Sequence, residues 1–308
     1  MPSSPRPRSR VSRRTVLLGA GGLAVLGTIG TGVALRSARL TEEAQVTSTP
    51  PARPVDALRA ARPATVAHRG GSLDWPEMSM FAYRRSVEAG VDGLEMSLAR
   101  TSDGVWFGLH DETLDRTSGT TGFVASEHTW AEVERQRISA AETSDPTQSD
   151  QPYARFDEIV REFGREHALF VDPKYVAARF YPELFEIART QLGTADLTQT
   201  LVGKGYCTQT EWGDLVRAEG CQTWGYYYAD ELADDPELLT RTSGSWTLLG
   251  LDWSAPAATW ATMAATGKPV YGHIVPDLAD AHTALDQGAV GLVVSGVAEV
   301  VGPLTTEG

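Results

Sequence analysis

From Thr65 onward, short apolar runs alternate with longer stretches in which apolar residues recur at helical spacing. Short apolar runs bounded by turn residues predict buried β-strands, and the amphipathic stretches predict helices that cover them. The predicted strands are Thr65–His68, Gly93–Ser97, Val105–His110, Ala168–Pro173, Thr200–Lys204, Thr223–Tyr228, Thr247–Asp252, Val270–Val275 and Gly291–Ser295. The predicted helices include Met80–Ala89, Phe156–His167, Tyr181–Leu192, Glu211–Glu219, Ala257–Thr266 and Leu278–Gln287.

This alternation predicts an α/β protein with a parallel sheet, most economically a (β/α)8 TIM barrel. Nine candidate strands exceed the eight places of such a barrel, so one of them is surplus. Thr247–Asp252 is the weakest candidate and is expected to be the surplus strand.

The first 40 residues have the pattern of an export signal. Arg13 and Arg14 directly precede Thr15–Leu35, which has no charge and contains six glycines. Paired arginines before a moderately apolar stretch are typical of a twin-arginine signal, and 21 residues are also long enough to span a bilayer. We therefore expect export, leaving open whether the segment is cleaved or kept as a membrane anchor. Residues 41–64 are interpreted as a linker, in which 55–61 can form one helical turn, and 65–308 as the folded domain.

Charge excludes one class of partner. The chain of 308 residues carries a net charge of −13, but residues 1–40 hold seven arginines and no acid. Residues 41–308 are therefore strongly acidic, with 20 basic and 40 acidic residues. Binding of nucleic acid depends on basic surfaces, so nucleic acid is excluded as the main partner. Membrane contact is expected only through the N-terminal segment.

Polar side chains gather at the predicted carboxyl ends of several strands, where a barrel of this kind places its functional groups. Side chains two positions apart on a strand share a face, so the pair Glu95 and Ser97 and the pair Asp172 and Lys174 each point the same way. The strand ends in question are His68-Arg69-Gly70, Glu95-Met96-Ser97, His110-Asp111, Asp172-Pro173-Lys174 and His273. Single polar residues there are common as helix caps, but five such ends predict an active site.

The motifs around these residues resemble those of the glycerophosphodiester phosphodiesterase family. His68-Arg69-Gly70 followed by Pro76-Glu77 is similar to the opening motif of that family. The segments 101–105 and 110–117 resemble its second motif, and Phe156-Asp157-Glu158-Ile159-Val160 resembles the helix before its fourth strand. The resemblance implies a TIM barrel that hydrolyses glycerophosphodiesters to glycerol 3-phosphate and an alcohol, with the help of a divalent metal.

Carried over by position, the resemblance makes His68 and His110 the general acid and base. Phosphodiester hydrolysis needs such a pair, since one oxygen loses a proton while another gains one, and histidine suits both tasks near neutral pH. Arg69 and Lys174 are expected to neutralise the substrate phosphate. Only three lysines occur in the chain, which makes one at a strand end notable. Glu77 is expected either to pair with Arg69 or to contact substrate.

The implied metal site departs from the family pattern, which has Glu-x-Asp on the second strand and Glu-x-Lys on the fourth. Here Glu95 and Asp172 are the expected ligands of Mg²⁺ or Ca²⁺, and Ser97 occupies the position of a usual Asp ligand. Hard divalent ions prefer several anionic oxygens, so Ser97 predicts weakened binding unless Glu77 or a water assists. An Asp on the fourth strand also resembles sphingomyelinase D-type phospholipases.

His273 is a further departure, because the family often has a tryptophan lining the glycerol end of the substrate there. It is interpreted as part of the substrate pocket, with a histidine satisfied by loop backbone as the alternative. Two functional hypotheses follow from these departures. The leading one is a phosphodiesterase acting on small or lipid-derived phosphodiesters, and the other is a non-catalytic descendant that binds phosphodiesters or an envelope polymer.

Cys207 and Cys221 raise the question of a disulfide in an exported protein. Cys207 follows a predicted strand and Cys221 precedes the next one, which places them at opposite rims of the barrel. A strand of five or six residues spans about 17–20 Å, well beyond the ~7 Å between Cα atoms that a disulfide allows. Two free thiols are predicted.

Overall fold

The computed structural model of the protein describes residues 55–59, 63–193 and 195–306. The predicted export signal and most of the predicted linker lie outside the described residues. Within the described part of the chain, every helix is too short or too polar to cross a membrane.

Eight parallel strands form a closed barrel, as the sequence predicts. Around the barrel the strands follow the order β1, β2, β4, β5, β6, β7, β8 and β9, and β9 pairs again with β1. The strands are β1 (Ala64–Ala67), β2 (Gly93–Arg100), β3 (Trp106–Gly108), β4 (Ala168–Pro173), β5 (Leu201–Tyr206), β6 (Gln222–Tyr227), β7 (Leu248–Asp252), β8 (Val270–Val275) and β9 (Gly291–Val294).

Helices cover the outside of the barrel. They are α1 (Met80–Ala89), α2 (Asp115–Ser118), α3 (Trp130–Val133), α4 (Phe156–Phe163), α5 (Pro182–Leu192), α6 (Thr210–Ala218), α7 (Ala229–Asp234), α8 (Leu238–Thr242), α9 (Ala257–Ala264), α10 (Leu278–Asp286) and α11 (Val297–Thr306). Capping residues in the sequence determine where several of these helices begin and end. Ser79, for example, accepts a hydrogen bond from the backbone N–H of Ala82 and so caps α1, which ends at Gly90 in a left-handed conformation.

The surplus strand is β3, so the expectation for Thr247–Asp252 was wrong. β7 takes a full place in the barrel between β6 and β8. β3 instead runs antiparallel to the end of β2, with Leu98 opposite Gly108 and Arg100 opposite Trp106. Only five residues join β2 to β3, whereas a parallel connection needs a dozen or more, so the second strand of the pair must run backwards.

Alternation along the strands separates the two sides of the barrel wall. Outward-facing residues of the strands, such as Leu94, Met96, Leu169 and Leu251, pack in the main core with the helices. Inward-facing residues form a second core inside the barrel, which includes Val66, Ala168, Phe170, Val202, Trp224, Leu248, Tyr271 and Val293. The polar residues at the carboxyl ends of the strands also face inward, because they lie an even number of positions after these core residues. The inner core therefore lies directly beneath them.

Trp224 fills the barrel at the level below the polar groups, and it needs room from β7. A Cβ added at Gly250 would lie 2.2 Å from Trp224 Cζ2, closer than any real contact. Glycine is therefore required at this position by the close approach of the indole.

The folded part of the chain begins earlier than the sequence predicts. Val55–Arg59 forms a 3₁₀ helix, in which Val55 and Leu58 are buried in the inner core. Asp56 exchanges hydrogen bonds with Gln199, in the loop before β5. This short helix therefore covers the amino-terminal end of the barrel, and residues 55–59, expected to belong to a linker, are part of the fold.

The chain between β3 and α4 forms a small addition beside the barrel with a core of its own. That core contains Ala99, Phe107, Leu109, Leu114, Ala125, Val133, Ile138 and Tyr153. Tyr153 donates to or accepts from Thr117 at 2.6 Å, which ties the end of the addition to its first helix.

The cysteine prediction is confirmed. Cys207 follows β5 and Cys221 precedes β6, and both are buried free thiols. Burial raises the pKa of each thiol to about 11, so both are protonated near neutral pH.

Candidate active site

A tight turn directly after β1 carries His68 and Arg69 into the mouth, the opening formed by the carboxyl ends of the strands. Arg69 has a φ of 52°, in the left-handed region that non-glycine residues rarely adopt. Its backbone N–H donates to Glu95 Oε2 at 2.6 Å. Gly70 continues the turn with a φ of 76° and lies against α1, where a Cβ would approach Ala82 to 3.1 Å. The turn is therefore held by β2 on one side and α1 on the other.

β2 contributes two inward-facing polar residues, as the spacing predicts. Glu95 and Ser97 are completely buried, and Ser97 Oγ lies 3.4 Å from Glu95 Oε1. Ser97 pairs in register with Asp172 of β4. The two carboxylates expected to bind metal thus lie on neighbouring strands, with Asp172 beside Ser97 and Glu95 two residues earlier on the same face of β2.

Lys204 of β5 lies between these two carboxylates. Its ammonium Nζ is 2.9 Å from Glu95 Oε1 and 2.9 Å from Asp172 Oδ2. Sequence reasoning missed this residue as part of the site. The signal was available, because Lys204 is two positions after inward-facing Val202 and is one of only three lysines in the chain.

Asp172 also pairs with Lys174, the next residue on the same face. Lys174 Nζ lies 2.8 Å from Asp172 Oδ2 and donates to the hydroxyl of Tyr226 at 2.8 Å. Asp172 Oδ1 is buried with no hydrogen-bond partner among the described residues. Lys174 is the more exposed of the two ammonium groups, so it is placed to meet a ligand entering the mouth.

His110 reaches the mouth on the chain leaving β3 and belongs to a network of charged groups. His110 Nδ1 lies 2.8 Å from Asp111 Oδ1, and Arg116 donates to Asp111 Oδ2 at 2.6 Å. Arg116 also donates to both oxygens of Glu77, which in turn pairs with Arg69 at 3.3 Å. Glu77 therefore makes the contact with Arg69 that was one of its two expected roles. An ionised Asp111 can only accept, so Nδ1 of His110 carries a proton and Nε2 is left to exchange protons.

His273 lies inside the barrel on β8, not in a loop, and it is 3% exposed. Its ring packs against two aromatic residues of β6 and the residue that follows the strand, with centroid distances of 5.4 Å to Trp224, 5.4 Å to Tyr226 and 5.6 Å to Tyr228. His273 is therefore part of an aromatic wall on one side of the mouth.

The three histidines are neutral near pH 7. Burial lowers the pKa of His68 well below its ordinary value, and the charges of Arg69 and Lys204 lower it further. Burial and Arg69 also lower the pKa of His110, although Asp111 acts in the opposite direction. Burial and Lys204 lower the pKa of His273 to about 3.

Glu95 and Lys204 stay charged. Burial by itself would raise the pKa of Glu95, but Lys204 and Arg69 hold it below its ordinary value. Burial would likewise lower the pKa of Lys204, but Asp172 and Glu95 raise it above its ordinary value. The centre of the mouth is thus a set of paired charges.

The residues present do not fit a divalent cation bound between Glu95 and Asp172. Both carboxylates already receive an ammonium group at hydrogen-bonding distance, and the second oxygen of Glu95 accepts a backbone N–H. Ser97 adds a hydroxyl in place of a third carboxylate. Mg²⁺ and Ca²⁺ require several oxygens free to coordinate them, and the position they would take is filled by Lys204 Nζ.

The structure brings every predicted site residue to the same mouth: His68, Arg69, Glu77, Glu95, Ser97, His110, Asp172, Lys174 and His273. Besides Lys204, sequence reasoning missed Arg116 and Tyr226. Arg116 is part of the segment used for the resemblance, but its link to Glu77 depends on the path of the addition and is invisible in the sequence.

Comparison with known proteins decides the family. The sequence profile of the Glycerophosphoryl diester phosphodiesterase family matches residues 68–245, more than half of the chain. The chain belongs to this family. A glycerophosphodiester phosphodiesterase from Caldanaerobacter subterraneus subsp. tengcongensis is 46% identical over 59 residues. That alignment spans 19% of this chain and 24% of the relative, so this closer sequence similarity concerns a single segment.

Solved structures of glycerophosphodiester phosphodiesterases share the barrel. One from Parabacteroides distasonis superimposes with a TM-score of 0.62 at 18% identity, covering 84% of this chain and 94% of that one. A phosphodiesterase from Oleispira antarctica, solved in complex with the product sn-glycerol-3-phosphate, gives a TM-score of 0.61 at 17% identity. It covers 80% of this chain and 96% of its own. At such identities the likeness concerns the fold.

Proposed function

We propose that the protein hydrolyses glycerophosphodiesters to glycerol 3-phosphate and an alcohol. The observation that carries the proposal is the meeting of two neutral imidazoles, His68 and His110, with two cations, Arg69 and Lys174, at one barrel mouth. Family membership supports the choice of substrate, as does the product bound to the Oleispira antarctica phosphodiesterase.

Proton transfer is assigned to the histidines. His68 has the more strongly lowered pKa, so it is neutral and suited to accept the proton of the attacking oxygen. His110 carries Asp111 against Nδ1, which stabilises its imidazolium form. In its imidazolium form, the minority form near pH 7, His110 carries a second proton on Nε2, taken up from solvent, and delivers it to the oxygen of the departing alcohol. The attacking oxygen forms a bond to phosphorus as the bond between phosphorus and the alcohol oxygen breaks.

Charge stabilisation is assigned to Arg69 and Lys174. The guanidinium Nε of Arg69 is buried without a hydrogen-bond partner among the described residues, although Nη1 pairs with Glu77. A donor in that state is available to a phosphate oxygen, because an unpaired buried N–H is costly without one. Lys174 supplies a second, partly exposed positive charge. No step of this mechanism passes through a metal ion.

The decisive test is a hydrolysis assay with glycerophosphocholine that detects glycerol 3-phosphate. We expect turnover by the wild-type protein and its loss in Lys174→Ala, where phosphate binding is weakened. Arg84→Ala is the matched control, since Arg84 is an exposed cation paired with Glu162 away from the mouth. Equal activity of Lys174→Ala and the wild type would place Lys174 outside the site.

The alternatives from the sequence are outcomes of the same assay. Tight binding of glycerophosphocholine without turnover of any of several diesters would favour the non-catalytic descendant. Turnover of sphingomyelin or lysophosphatidylcholine in preference to glycerophosphocholine would favour a sphingomyelinase D-like phospholipase, for which Asp172 on β4 is the supporting residue.

We also propose export of the protein by the twin-arginine route, with Arg13 and Arg14 as the supporting residues. Replacing both by lysine should retain the protein in the cytoplasm of an expressing bacterium, as measured by cell fractionation. Unchanged export of that variant would overturn the proposal.

A further inference from the structure

The ammonium group of Lys204, a buried cation that belongs to the chain itself, lies at the centre of the proposed site. The side chain of Lys204 is 6% exposed, and those of Glu95 and Asp172 are completely buried. The ammonium group is 2.9 Å from an oxygen of each carboxylate. Lys204 thus bridges β2 and β4 from its own strand β5, in the way that a metal ion bridges ligands from separate elements.

The charges around this lysine balance without any added ion. Glu95 and Asp172 carry two negative charges, and Lys204 and Lys174 supply two positive charges in direct contact with them. A divalent cation added to this group would leave two uncompensated positive charges in a largely buried place. Removing charges from water is costly unless each is paired, so such binding is strongly disfavoured.

The walls around Lys204 suit an ammonium group held in place. Its Nζ lies 4.7 Å from the ring centroid of Tyr226 and 5.7 Å from that of Trp224. Aromatic faces attract cations at these distances. The ammonium group of Lys204 is thus in contact with two aromatic rings as well as two carboxylates.

We propose that the ammonium group of Lys204 permanently takes the place of the divalent cation between Glu95 and Asp172, so that this protein works without one. The proposal rests on the proposed function for its catalytic consequence, but its structural content can be tested without turnover.

Lys204 acts here as a positioning residue. It holds Glu95, and Glu95 accepts the backbone N–H of Arg69, which fixes the strained turn carrying His68. It also holds Asp172, which is paired with Lys174. The lysine therefore orients a proton-transfer residue and a phosphate-binding residue at the same time.

The first experiment uses the full chain as it is. CaCl₂ and MgCl₂ are titrated separately into the protein by calorimetry, and hydrolysis of glycerophosphocholine is measured before and after dialysis against EDTA. We expect no saturable heat with either salt and no loss of activity with EDTA. Stoichiometric binding of either ion, or activity lost in EDTA and restored by the ion, would overturn the proposal.

The second experiment removes the internal cation. Lys204→Met keeps an unbranched side chain of similar volume, one atom shorter and uncharged, and leaves two carboxylates facing each other. This variant should therefore gain binding of Ca²⁺ or Mg²⁺. The melting temperature should then rise on adding the ion in the variant and not in the wild type. Adding Ser97→Asp to Lys204→Met supplies a third carboxylate and should increase the gain at least tenfold in affinity.

Two controls keep this test decisive. Lys204→Met combined with Asp172→Asn removes one of the two carboxylates, so it should bind no ion. Lys204→Arg keeps a cation at the position and should remain indifferent to both salts, even if Lys204→Met does not fold. A folded Lys204→Met protein that binds neither ion would contradict the proposal, as would a Lys204→Arg protein that binds one.

The outcome separates this inference from the proposed function. A wild-type protein with no diesterase activity that ignores both ions, with a Lys204→Met variant that binds them, supports the lysine and rejects the enzyme. An active wild-type protein that requires Ca²⁺ or Mg²⁺ supports the enzyme and rejects the lysine.

Discussion

Single residues at the mouth hold their protonation states through their neighbours. His68 is buried and faces two cations, while His110 faces Arg69 on one side and Asp111 on the other. The same residue type is thus prepared for two tasks by its surroundings, as proton transfer in opposite directions requires.

Replacement of either histidine tests this pair. His68→Asn and His110→Asn should each lower kcat for glycerophosphocholine by about 100- to 10,000-fold, because a general acid or base contributes that much. The melting temperature should change little in His110→Asn, whose side chain is partly exposed. His282→Asn, at an exposed position on α10, is the control for loss of a histidine. Near-wild-type kcat in either variant would remove that histidine from proton transfer.

His273 should make the protein less stable in acid. Its pKa is about 3 when folded and 6.5 in the unfolded chain, so between these values the unfolded chain binds a proton that the folded protein does not. Stability from this group is therefore complete above pH 6.5 and is lost as the pH falls towards 3, at up to about 1.4 kcal/mol per pH unit. The charges and phenols that face it are Lys204, Glu95, Tyr226 and Tyr228.

The measurement is urea unfolding at several pH values between 4 and 7. His273→Phe has no proton to gain, so its free energy of unfolding should decline less steeply with falling pH than that of the wild type. The pKa values of His68 and His110 are lowered too, so part of the loss of stability with falling pH should remain in the variant. Parallel curves for the two proteins would show that His273 is not buried in its neutral form.

For single residues, the sequence predicted which polar and charged side chains lie at the strand ends. It did not predict the hydrogen-bond and ion-pair partners that decide their roles. Parity along β5 placed Lys204 inside the barrel as surely as it placed Val202. The stagger between neighbouring strands could not be predicted from the sequence. This stagger brings the ammonium group of Lys204 into contact with both Glu95 and Asp172.

Among the elements, β3 differs most from its predicted role. It is a short antiparallel partner of β2, and the chain leaving it carries His110 back to the mouth. The predicted strands Gly93–Ser97 and Val105–His110 left only seven residues between them, which already excluded a parallel crossover, so loop length would have identified the surplus strand where the apolar pattern did not. In β7, the weakest of the predicted strands, Gly250 interrupts the apolar run and admits the Trp224 indole.

This packing gives a prediction at the element scale. Gly250→Ala should lower the free energy of unfolding by about 1–3 kcal/mol, because the new methyl group overlaps the Trp224 ring and forces β6 and β7 apart. Gly302→Ala on α11 is the matched control, since a Cβ there meets nothing within 4 Å and alanine favours a helix. Chemical denaturation of both variants measures the difference. A Gly250→Ala protein as stable as the control would mean that the indole lies elsewhere.

At the largest scale, the described part of the chain is a barrel with one closed end and one open end. Val55 and Leu58 cover the amino-terminal end, whereas the polar groups line the carboxyl-terminal end. The Pro-rich surroundings of the covering helix carry no sustained periodicity and are typical of a linker, so the sequence allowed a helical turn at 55–61 but did not predict its burial against the barrel.

Truncation tests the role of this cover. A chain lacking residues 1–40 should keep the unfolding free energy of the complete protein, because the described core begins at Val55. A chain beginning at residue 63 should lose about 2–5 kcal/mol, since two apolar side chains no longer fill the end of the barrel. Leu58→Ala in the complete chain is the point-variant counterpart. Equal stability of the two truncated chains would show that the short helix contributes nothing to the fold.

The position of that cover also determines how the protein is best attached to something else. A linker, resin or fusion partner joined ahead of Val55 meets the barrel at its closed end, the far side from His68 and Lys174. Protein attached to beads by this end would have its mouth facing the surrounding solution. Small molecules would then reach the mouth as freely as they do in the unattached protein.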